Sequence, residues 1–181
     1  IEHQQVEQLI VRITESVKKL HAHRKQSADK TIYALVRLLP PQFQRQYCVL
    51  FLQDRRMYRR KLGYRLAQDN FIPEYKPILL GCFLAHKDQQ ALVTIARNCE
   101  DMDDTVDFLL DHVEELWVKA RVFEKLFLKD ANRALALMSQ HPIAFAWGAA
   151  RANYVDAVPS ISNMLRDQEI NGVFEHYSLL I

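Results

Sequence analysis

Apolar residues recur every three or four positions along almost the whole chain, which is the spacing of one face of an α-helix. The first segment shows this most clearly, with successive spacings of 3, 4, 3, 4 and 3 residues along the stripe His3, Val6, Ile10, Ile13, Val17 and Leu20. The same spacing is that of a coiled-coil seam, although such seams normally extend over about three to four heptads. The stripe predicts a packed first helix over residues 2–25, with a coiled coil as the alternative.

Helix-sized segments then follow one another, separated by short breaks. Pro41 and Pro142 suit the first turn of a helix, Asp130 suits an N-cap, and Ser27 and Asp29 are expected to cap a helix that ends before residue 40. No segment alternates apolar and polar residues as a strand does. Leu and Ala supply 40 of the 181 residues, against four each of Gly and Thr. We therefore expect an all-α fold of about ten helices.

The net charge of +2 conceals an asymmetry between the two halves of the chain. Residues 1–90 carry 16 Lys and Arg against 8 Asp and Glu, whereas residues 91–181 carry 8 against 14. Such a division can attract an acidic partner to one half and a basic partner to the other. The charges could equally be compensated within one folded chain or between copies of it.

Three cysteines, Cys48, Cys82 and Cys99, lie in apolar segments and form no Cys-x-x-Cys pair. A sparse, odd number of this kind is typical of buried thiols in a reducing compartment, so we expect a cytoplasmic or otherwise intracellular protein. No apolar run approaches the ~18 residues of a membrane span, and no membrane contact is expected. His86 and His112 could join Cys82 and Cys99 as zinc ligands, but the close pairs of structural zinc sites are missing.

Four stretches share the order of an apolar helix, a short polar break and a second apolar helix, and they cover residues 62–88, 94–116, 125–140 and 147–169. Units of about 30 to 45 residues with this order form the antiparallel helix pairs of α-solenoids. In the last stretch, WGAARANYVDAVPSISNMLRD resembles a HEAT repeat, with an Ala/Gly-rich first helix and an acid-Ala-Val-Pro opening of the second. The resemblance implies an α-solenoid or irregular helical bundle of antiparallel helix pairs over residues 61–181, expected as one continuous domain. It does not explain the N-terminal third, whose amphipathic helices over residues 1–60 are expected to form a cap.

HEAT-repeat proteins are mostly scaffolds, so the resemblance implies a helical surface that binds another macromolecule without chemistry of its own. A fainter resemblance links DDTVDFL, LWVKARVFEKLF and FAWGAARANYV to the DNA-alkylation-repair glycosylases, which are built of HEAT-like helix pairs. It implies a lesion site at Asp107, Trp117, Trp147 and Arg151. The chain departs from that pattern because no tandem Trp precedes Asp107 and the Arg follows at an altered distance.

A strongly basic segment is the first candidate binding site, and its cations are Arg55, Arg56, Arg59, Arg60, Lys61 and Arg65. On a continuous helix, residues 55 and 59 share one stripe and residues 56 and 60 a second. Two such arginine rows, with tyrosines between them, could neutralise the phosphates of a nucleic acid. The alternative is that these arginines pair with the acidic half or lie on a solvated helix face.

An acidic segment over residues 100–115 is the second candidate, and its proposed binding residues are Asp104, Asp107 and Asp111. The segment lacks the Gly and the twelfth-position Glu of an EF-hand loop, so calcium binding fits poorly. Asp103 and Asp104 suit a helix N-terminus, where carboxylates oppose the helix dipole. The carboxylates that follow are expected to form an exposed stripe for a basic partner.

The sequence as a whole predicts a non-catalytic adaptor or scaffold that binds a protein partner, with nucleic-acid binding through residues 55–65 as the alternative. No Gly-rich phosphate loop and no Gly-x-Ser-x-Gly motif occurs in the chain. We therefore expect no enzymatic activity, no cofactor and no small-molecule substrate.

Overall fold

The structure is a computed structural model that describes the backbone of residues 3–17 and 22–167. Within these ranges the chain is all-α, as predicted: it forms eleven α-helices and a short 3₁₀ turn, and no strand. Packing divides the chain into two compact units, residues 1–99 and 100–181. Residue 60, where the sequence suggested a division, lies inside a helix of the first unit.

Six helices form the described part of the first unit: α1 (His3–Val17), α2 (Ala22–Arg37), α3 (Pro41–Leu52), α4 (Met57–Asp69), α5 (Tyr75–His86) and α6 (Gln89–Asn98). Helices that are adjacent in the chain pack in pairs, α1 on α2, α3 on α4 and α5 on α6. Helix α4 also packs on α2 and α6, and α3 packs on α5. Large side chains such as Phe51, Tyr64, Leu79 and Leu92 are less than 2% exposed and form the core of this unit.

The first helix is packed within its unit. Val6 and Ile10 are buried, α1 contacts α2, and the ring of His3 stacks on Phe43 with centroids 5.3 Å apart. These are the contacts of a packed amphipathic helix, as predicted. The predicted extent of residues 2–25 is wrong, because residues 22–25 belong to α2, which packs on α1. The last positions of the stripe, Val17 and Leu20, have side chains that lie outside the described residues.

Helix boundaries follow the local sequence in part. Pro41 begins α3, as predicted, because a proline in the first turn loses no intrahelical hydrogen bond. The prediction that Ser27 and Asp29 cap a helix is wrong, since α2 already begins at Ala22. Residues 22–26 include Ala, Arg, Lys and Gln, good helix formers that extend the helix toward its N-terminus.

Five helices and one 3₁₀ turn form the described part of the second unit: α7 (Val106–His112), α8 (Leu116–Lys129), α9 (Ala131–Ala136), α10 (Pro142–Arg151), the turn Val155–Ala157 and α11 (Val158–Asp167). Its core lies between α8 and α10, where the Phe145 ring is 5.7 Å from that of Phe123 and 5.1 Å from that of Phe127. Pro142 begins α10, and Asp130 caps α9 by accepting a hydrogen bond from the Arg133 backbone N–H, both as predicted.

Gly148 sets the distance between α8 and α10. A Cβ added there would lie 2.3 Å from the Cβ of Phe123 and 2.9 Å from the carbonyl oxygen of Ala120. The small residues of α10 therefore permit the close helix approach that the Ala/Gly-rich pattern predicted. Helix α10, the 3₁₀ turn and α11 form a helix–turn–helix, and α10 contacts α11. Residues 168 and 169, the end of the proposed repeat, lie outside the described residues.

Candidate functional site

The basic segment does not form two arginine rows. Helix α4 begins at Met57, so Arg55 and Arg56 lie in the bend that precedes it and not on a stripe with Arg59 and Arg60. The reason is Asp54, whose carboxylate accepts hydrogen bonds from the backbone N–H and the side chain of Arg56. This local carboxylate–arginine pair stabilises a bend where helical periodicity alone predicted a helix.

Asp54 contacts two of the four arginines at positions 55, 56, 59 and 60. Arg56 donates to both of its carboxylate oxygens at 2.9 Å, and Nη1 of Arg59 lies 3.4 Å from Oδ2. Hydrogen bonding to Arg56 lowers the pKa of Asp54 to about 2 against the opposing effect of burial. Arg59 itself is only 9% exposed. These guanidinium groups are thus engaged inside the unit.

A third arginine forms a buried cluster with an acid and a tyrosine. Nε of Arg60 donates to Oδ2 of Asp88 at 2.6 Å, and the Tyr64 hydroxyl donates to the same oxygen at 2.7 Å. Nη1 of Arg60 donates to the carbonyl oxygens of Asp54 and Arg55 at 3.0 and 2.7 Å. The side chains of Arg60 and Asp88 are each 5% exposed.

The cluster determines the charge state of its acid. Burial would raise the pKa of Asp88, but the hydrogen bonds from Arg60 and Tyr64 outweigh it and the pKa is lowered. Burial and the bond to Asp88 raise the pKa of Tyr64. Asp88 is the residue before α6, yet its side chain does not cap that helix because Arg60 and Tyr64 occupy it. The cluster therefore connects the N-terminal half of α4 to the start of α6.

The cations that remain on the surface of α4 are Lys61 and Arg65. With Met57 they form a row at intervals of four residues, and with Gln89 and Gln90 they line a groove of about 390 Å³, here called the α4–α6 groove. Tyr64 and Asp88 also line it. Met57 is 51% exposed, and Lys61 and Arg65 are exposed.

The acidic residues are exposed, and several of them have basic side chains as neighbours within the second unit. Asp107 pairs with Arg133 at 3.1 Å, and Asp111 lies 3.9 Å from Nε2 of His141. Asp104 lies in the turn before α7. Asp101 and Asp103 flank Nζ of Lys129 at 3.2 and 2.6 Å, respectively. Asp107 and Asp111 thus lie four residues apart on α7, with part of their charge compensated internally, whereas Glu114 lies beyond the end of that helix.

Helix α5 carries an exposed apolar surface that the sequence motifs did not predict. The outward face of this helix consists of Pro77, Gly81, Leu84 and Ala85, which are all exposed, and it carries no charge. The signal in the sequence was a helix, YKPILLGCFLAH, with apolar residues all round, which normally indicates a helix covered on every side.

Beside this face, α3 and α5 form a second groove of about 430 Å³, here called the α3–α5 groove. Val49, Leu50, Tyr75 and Ile78 give it an apolar lining, and Leu50 is 58% exposed. Arg45 and Glu74, both exposed, line it as well, together with Gln46, Gln53 and Ile72. A depression of about 370 Å³ adjoins it and shares Arg45, Ile72 and Tyr75.

The three thiols are buried, as predicted, and none of them forms a disulfide. Cys48 donates to the carbonyl oxygen of Gly63 and Cys82 to that of Leu52, and burial raises the pKa of Cys48 to about 12.

His112, one of the residues considered as a zinc ligand, stacks on Phe108 with ring centroids 4.2 Å apart. Among the described residues no three His, Cys, Asp or Glu side chains are grouped as metal ligands, so the zinc set considered above is not assembled there.

The two charged residues that the glycosylase resemblance places in one site, Asp107 and Arg151, each contact a different partner. Asp107 pairs with Arg133 of α9, whereas Nε of Arg151 donates to Oε2 of Glu124 at 2.7 Å. Glu124 also accepts from Arg121 at 2.5 Å. Trp117 is 39% exposed and Trp147 is half-buried.

Comparison of this chain with protein-family models, with curated proteins and with solved structures found no match. The HEAT and glycosylase resemblances thus rest on the residues quoted for them. In the described part of the chain, no helix combines the length and the hydrophobicity needed to cross a bilayer.

Proposed function

We propose that this chain is a protein-recognition module that holds an amphipathic helix of a partner protein in the α3–α5 groove. The observation that carries the proposal is the uncharged, exposed outer face of α5 beside that groove. A HEAT-like stacking of helix pairs is part of the same proposal, and in the first unit the packing of α3 on α4 and of α5 on α6 supports it, although these are not the pairs that the repeat pattern of residues 62–88 predicted. A role without catalytic activity is also part of the proposal.

Exposed leucines on α3 and α5 favour association with a partner. Leu50 and Leu84 are 58% and 59% exposed, and covering a Leu side chain completely is worth about 1.5–3 kcal/mol. Contiguous apolar patches on a protein surface commonly mark sites of interaction. Covering Leu50 and the outer face of α5 by a partner supplies a driving force for association that the surrounding polar surface does not supply.

The shape and charge of the groove favour a helix as the occupant. A groove between two packed helices accepts an amphipathic helix with apolar side chains at positions i, i+3 or i+4, and i+7. Arg45 makes no ion pair with any described residue, and it lies beside the apolar lining. The partner helix should therefore carry a carboxylate next to its apolar stripe, placed to meet Arg45 and away from Glu74, the acid that also lines the groove.

The contacts of the basic segment weigh against the nucleic-acid alternative. A protein that neutralises about 6–10 phosphates binds with a steep salt dependence. In the described structure Arg56, Arg59 and Arg60 are engaged with Asp54 and Asp88, so fewer cations of this segment are available to phosphates. A protein partner is the better-supported occupant of this unit.

The test uses an 18-residue helical peptide with Leu at i, i+3, i+4 and i+7 and one Glu beside that stripe. Leu50→Asp introduces a charge into the groove, and we expect peptide affinity, measured by calorimetry, to fall at least tenfold, or about 1.4 kcal/mol. The matched control is Leu38→Asp, since Leu38 is 68% exposed and does not line the groove. Absence of binding, or equal loss in both variants, would contradict the proposal.

A further inference from the structure

We infer that the α4–α6 groove is a second, independent binding site, which takes an extended acidic segment of a protein with an aliphatic residue next to its carboxylates. The observations that carry it are the row Met57, Lys61 and Arg65 and the contact that holds Arg65 against Tyr33. The site shares no lining residue with the α3–α5 groove.

Two cations that line this groove have no acidic partner among the described residues. Neither Lys61 nor Arg65 forms an ion pair with a described residue, although other cations of the same unit do, such as Arg56 and Arg60. The one acid that lines the groove, Asp88, is already neutralised by Arg60 and hydrogen-bonded by Tyr64. The groove therefore presents a positive field that attracts carboxylates.

Arg65 is held in place before any ligand arrives. Its guanidinium carbon lies 4.7 Å from the centroid of the Tyr33 ring, within the range of a cation–π interaction. The Tyr33 hydroxyl in turn donates a hydrogen bond to Asp69, the last residue of α4. A side chain fixed in this way loses less conformational entropy when it binds a carboxylate.

The spacing of the row matches alternate residues of an extended peptide. Positions four residues apart on a helix are separated by about 6 Å along its axis. In an extended chain, side chains two residues apart point to the same side and are about 6.6 Å apart. A segment of the form Leu-x-Glu-x-Glu can therefore place Leu on Met57 and one carboxylate on each of Lys61 and Arg65.

The apolar position distinguishes a protein ligand from a phosphate backbone. Met57 is 51% exposed at one end of the row, and its thioether adapts readily to an aliphatic side chain. Two cations beside a methionine match a short mixed segment better than a uniform row of phosphates.

The experiment measures fluorescence anisotropy with labelled 12-residue peptides that contain Leu-Ser-Glu-Ser-Glu, or its reverse, between Gly and Ser residues. We expect saturable binding of one direction, weakened about tenfold by Lys61→Gln with Arg65→Gln, as for two exposed ion pairs. Met57→Ser should weaken binding of this peptide and leave a peptide with Ser in place of Leu unaffected.

The matched control is the double variant Arg12→Gln with Lys30→Gln, which removes the same charge from exposed positions on α1 and α2. It should retain the affinity of the unaltered chain, and so should Leu50→Asp, which keeps this test separate from that of the α3–α5 groove. Circular dichroism checks that each variant remains helical.

Three results would overturn the inference. One is that neither peptide direction shows saturable binding. Another is that the Arg12 and Lys30 control loses as much affinity as the groove variant. The third is that a 12-nucleotide single strand binds more tightly than the peptides and loses its affinity with Lys61 and Arg65, which would make the groove a phosphate site.

Discussion

Gly148 is the position at which the second unit leaves least room for a side chain. In Gly148→Ala the new Cβ would meet Phe123 and the Ala120 carbonyl oxygen of α8, so the helices must separate. We expect a loss of about 1–3 kcal/mol in the free energy of unfolding, measured by urea denaturation.

The control for this prediction is Gly81→Ala, at an exposed helical glycine. Nothing lies within 4 Å of a Cβ added there, so alanine should gain about 0.5–1 kcal/mol from its lower backbone entropy. If both substitutions changed stability by the same amount, close packing of α10 on α8 would not be the cause.

A second prediction concerns the buried cluster of Arg60, Tyr64 and Asp88. Asp88→Asn leaves the Arg60 charge buried without a counterion, and we expect a loss of about 3–5 kcal/mol in the free energy of unfolding. Asp69→Asn removes the charge that faces Arg37, whose side chain is 58% exposed, and keeps an oxygen that can accept from Tyr33, so it should cost less than about 1 kcal/mol. Chemical denaturation of the two variants makes the comparison, and similar losses would contradict the structural role of the cluster.

Only the local contacts of the arginines could have been predicted from the sequence. Arg60 and Asp88 are 28 residues apart, and only the packing of α4 on α6 brings them together. The pairing of Arg56 with Asp54, two residues away, was within reach of a local argument, because an acid followed by an arginine can stabilise a bend. The prediction of arginine rows is wrong because helical periodicity does not continue through this bend.

At the level of single helices, the N-cap of α9 supplies the next prediction. Asp130 accepts a hydrogen bond from the Arg133 N–H at 3.1 Å, so Asp130→Ala should reduce stability by about 1 kcal/mol. Glu115 occupies the equivalent position of α8 and makes no side-chain cap bond, so Glu115→Ala should change stability by less than about 0.5 kcal/mol. Thermal denaturation of the two variants decides, and a larger loss at residue 115 would contradict the assignment of the cap.

Helix existence and several helix starts were predictable because they depend on neighbouring residues. Pro41, Pro142 and Asp130 act through local backbone geometry, and the structure places each where the sequence did. The start of α2 was not predictable from Ser27 and Asp29, since capping residues can also lie inside a helix. The apolar outer face of α5 was visible in the sequence but could be recognised as exposed only once the packing of α3 and α5 was known.

On the scale of the whole chain, the charge asymmetry follows the division into units. Residues 1–99 carry 17 Lys and Arg against 8 Asp and Glu, and residues 100–181 carry 7 against 14. Each unit therefore has a net charge of opposite sign, and each can attract a different class of partner. This agrees with an acidic ligand for the α4–α6 groove of the first unit.

Acid sensitivity provides a prediction for the first unit. The pKa of Asp54 is lowered to about 2, so in the window between that value and the ordinary pKa of aspartate the unfolded chain binds more protons than the folded one. Its contribution to stability, on the order of 2 kcal/mol, is complete above about pH 5 and is lost as the pH falls toward 2. Asp54→Asn should therefore destabilise the chain at pH 6 and have little effect at pH 2. Urea denaturation at both pH values measures this, and an equal loss at the two would contradict it.

The central claim is that the α3–α5 groove recognises a helix with a carboxylate facing Arg45, and a charge exchange tests it most directly. Calorimetry would compare the unaltered chain and Arg45→Glu, each with the 18-residue peptide and with a version carrying Lys in place of its Glu. We predict that Arg45→Glu weakens binding of the Glu peptide and that the Lys peptide restores most of the lost affinity. Equal losses for both peptides, or no loss for either, would contradict recognition of a helix at this groove.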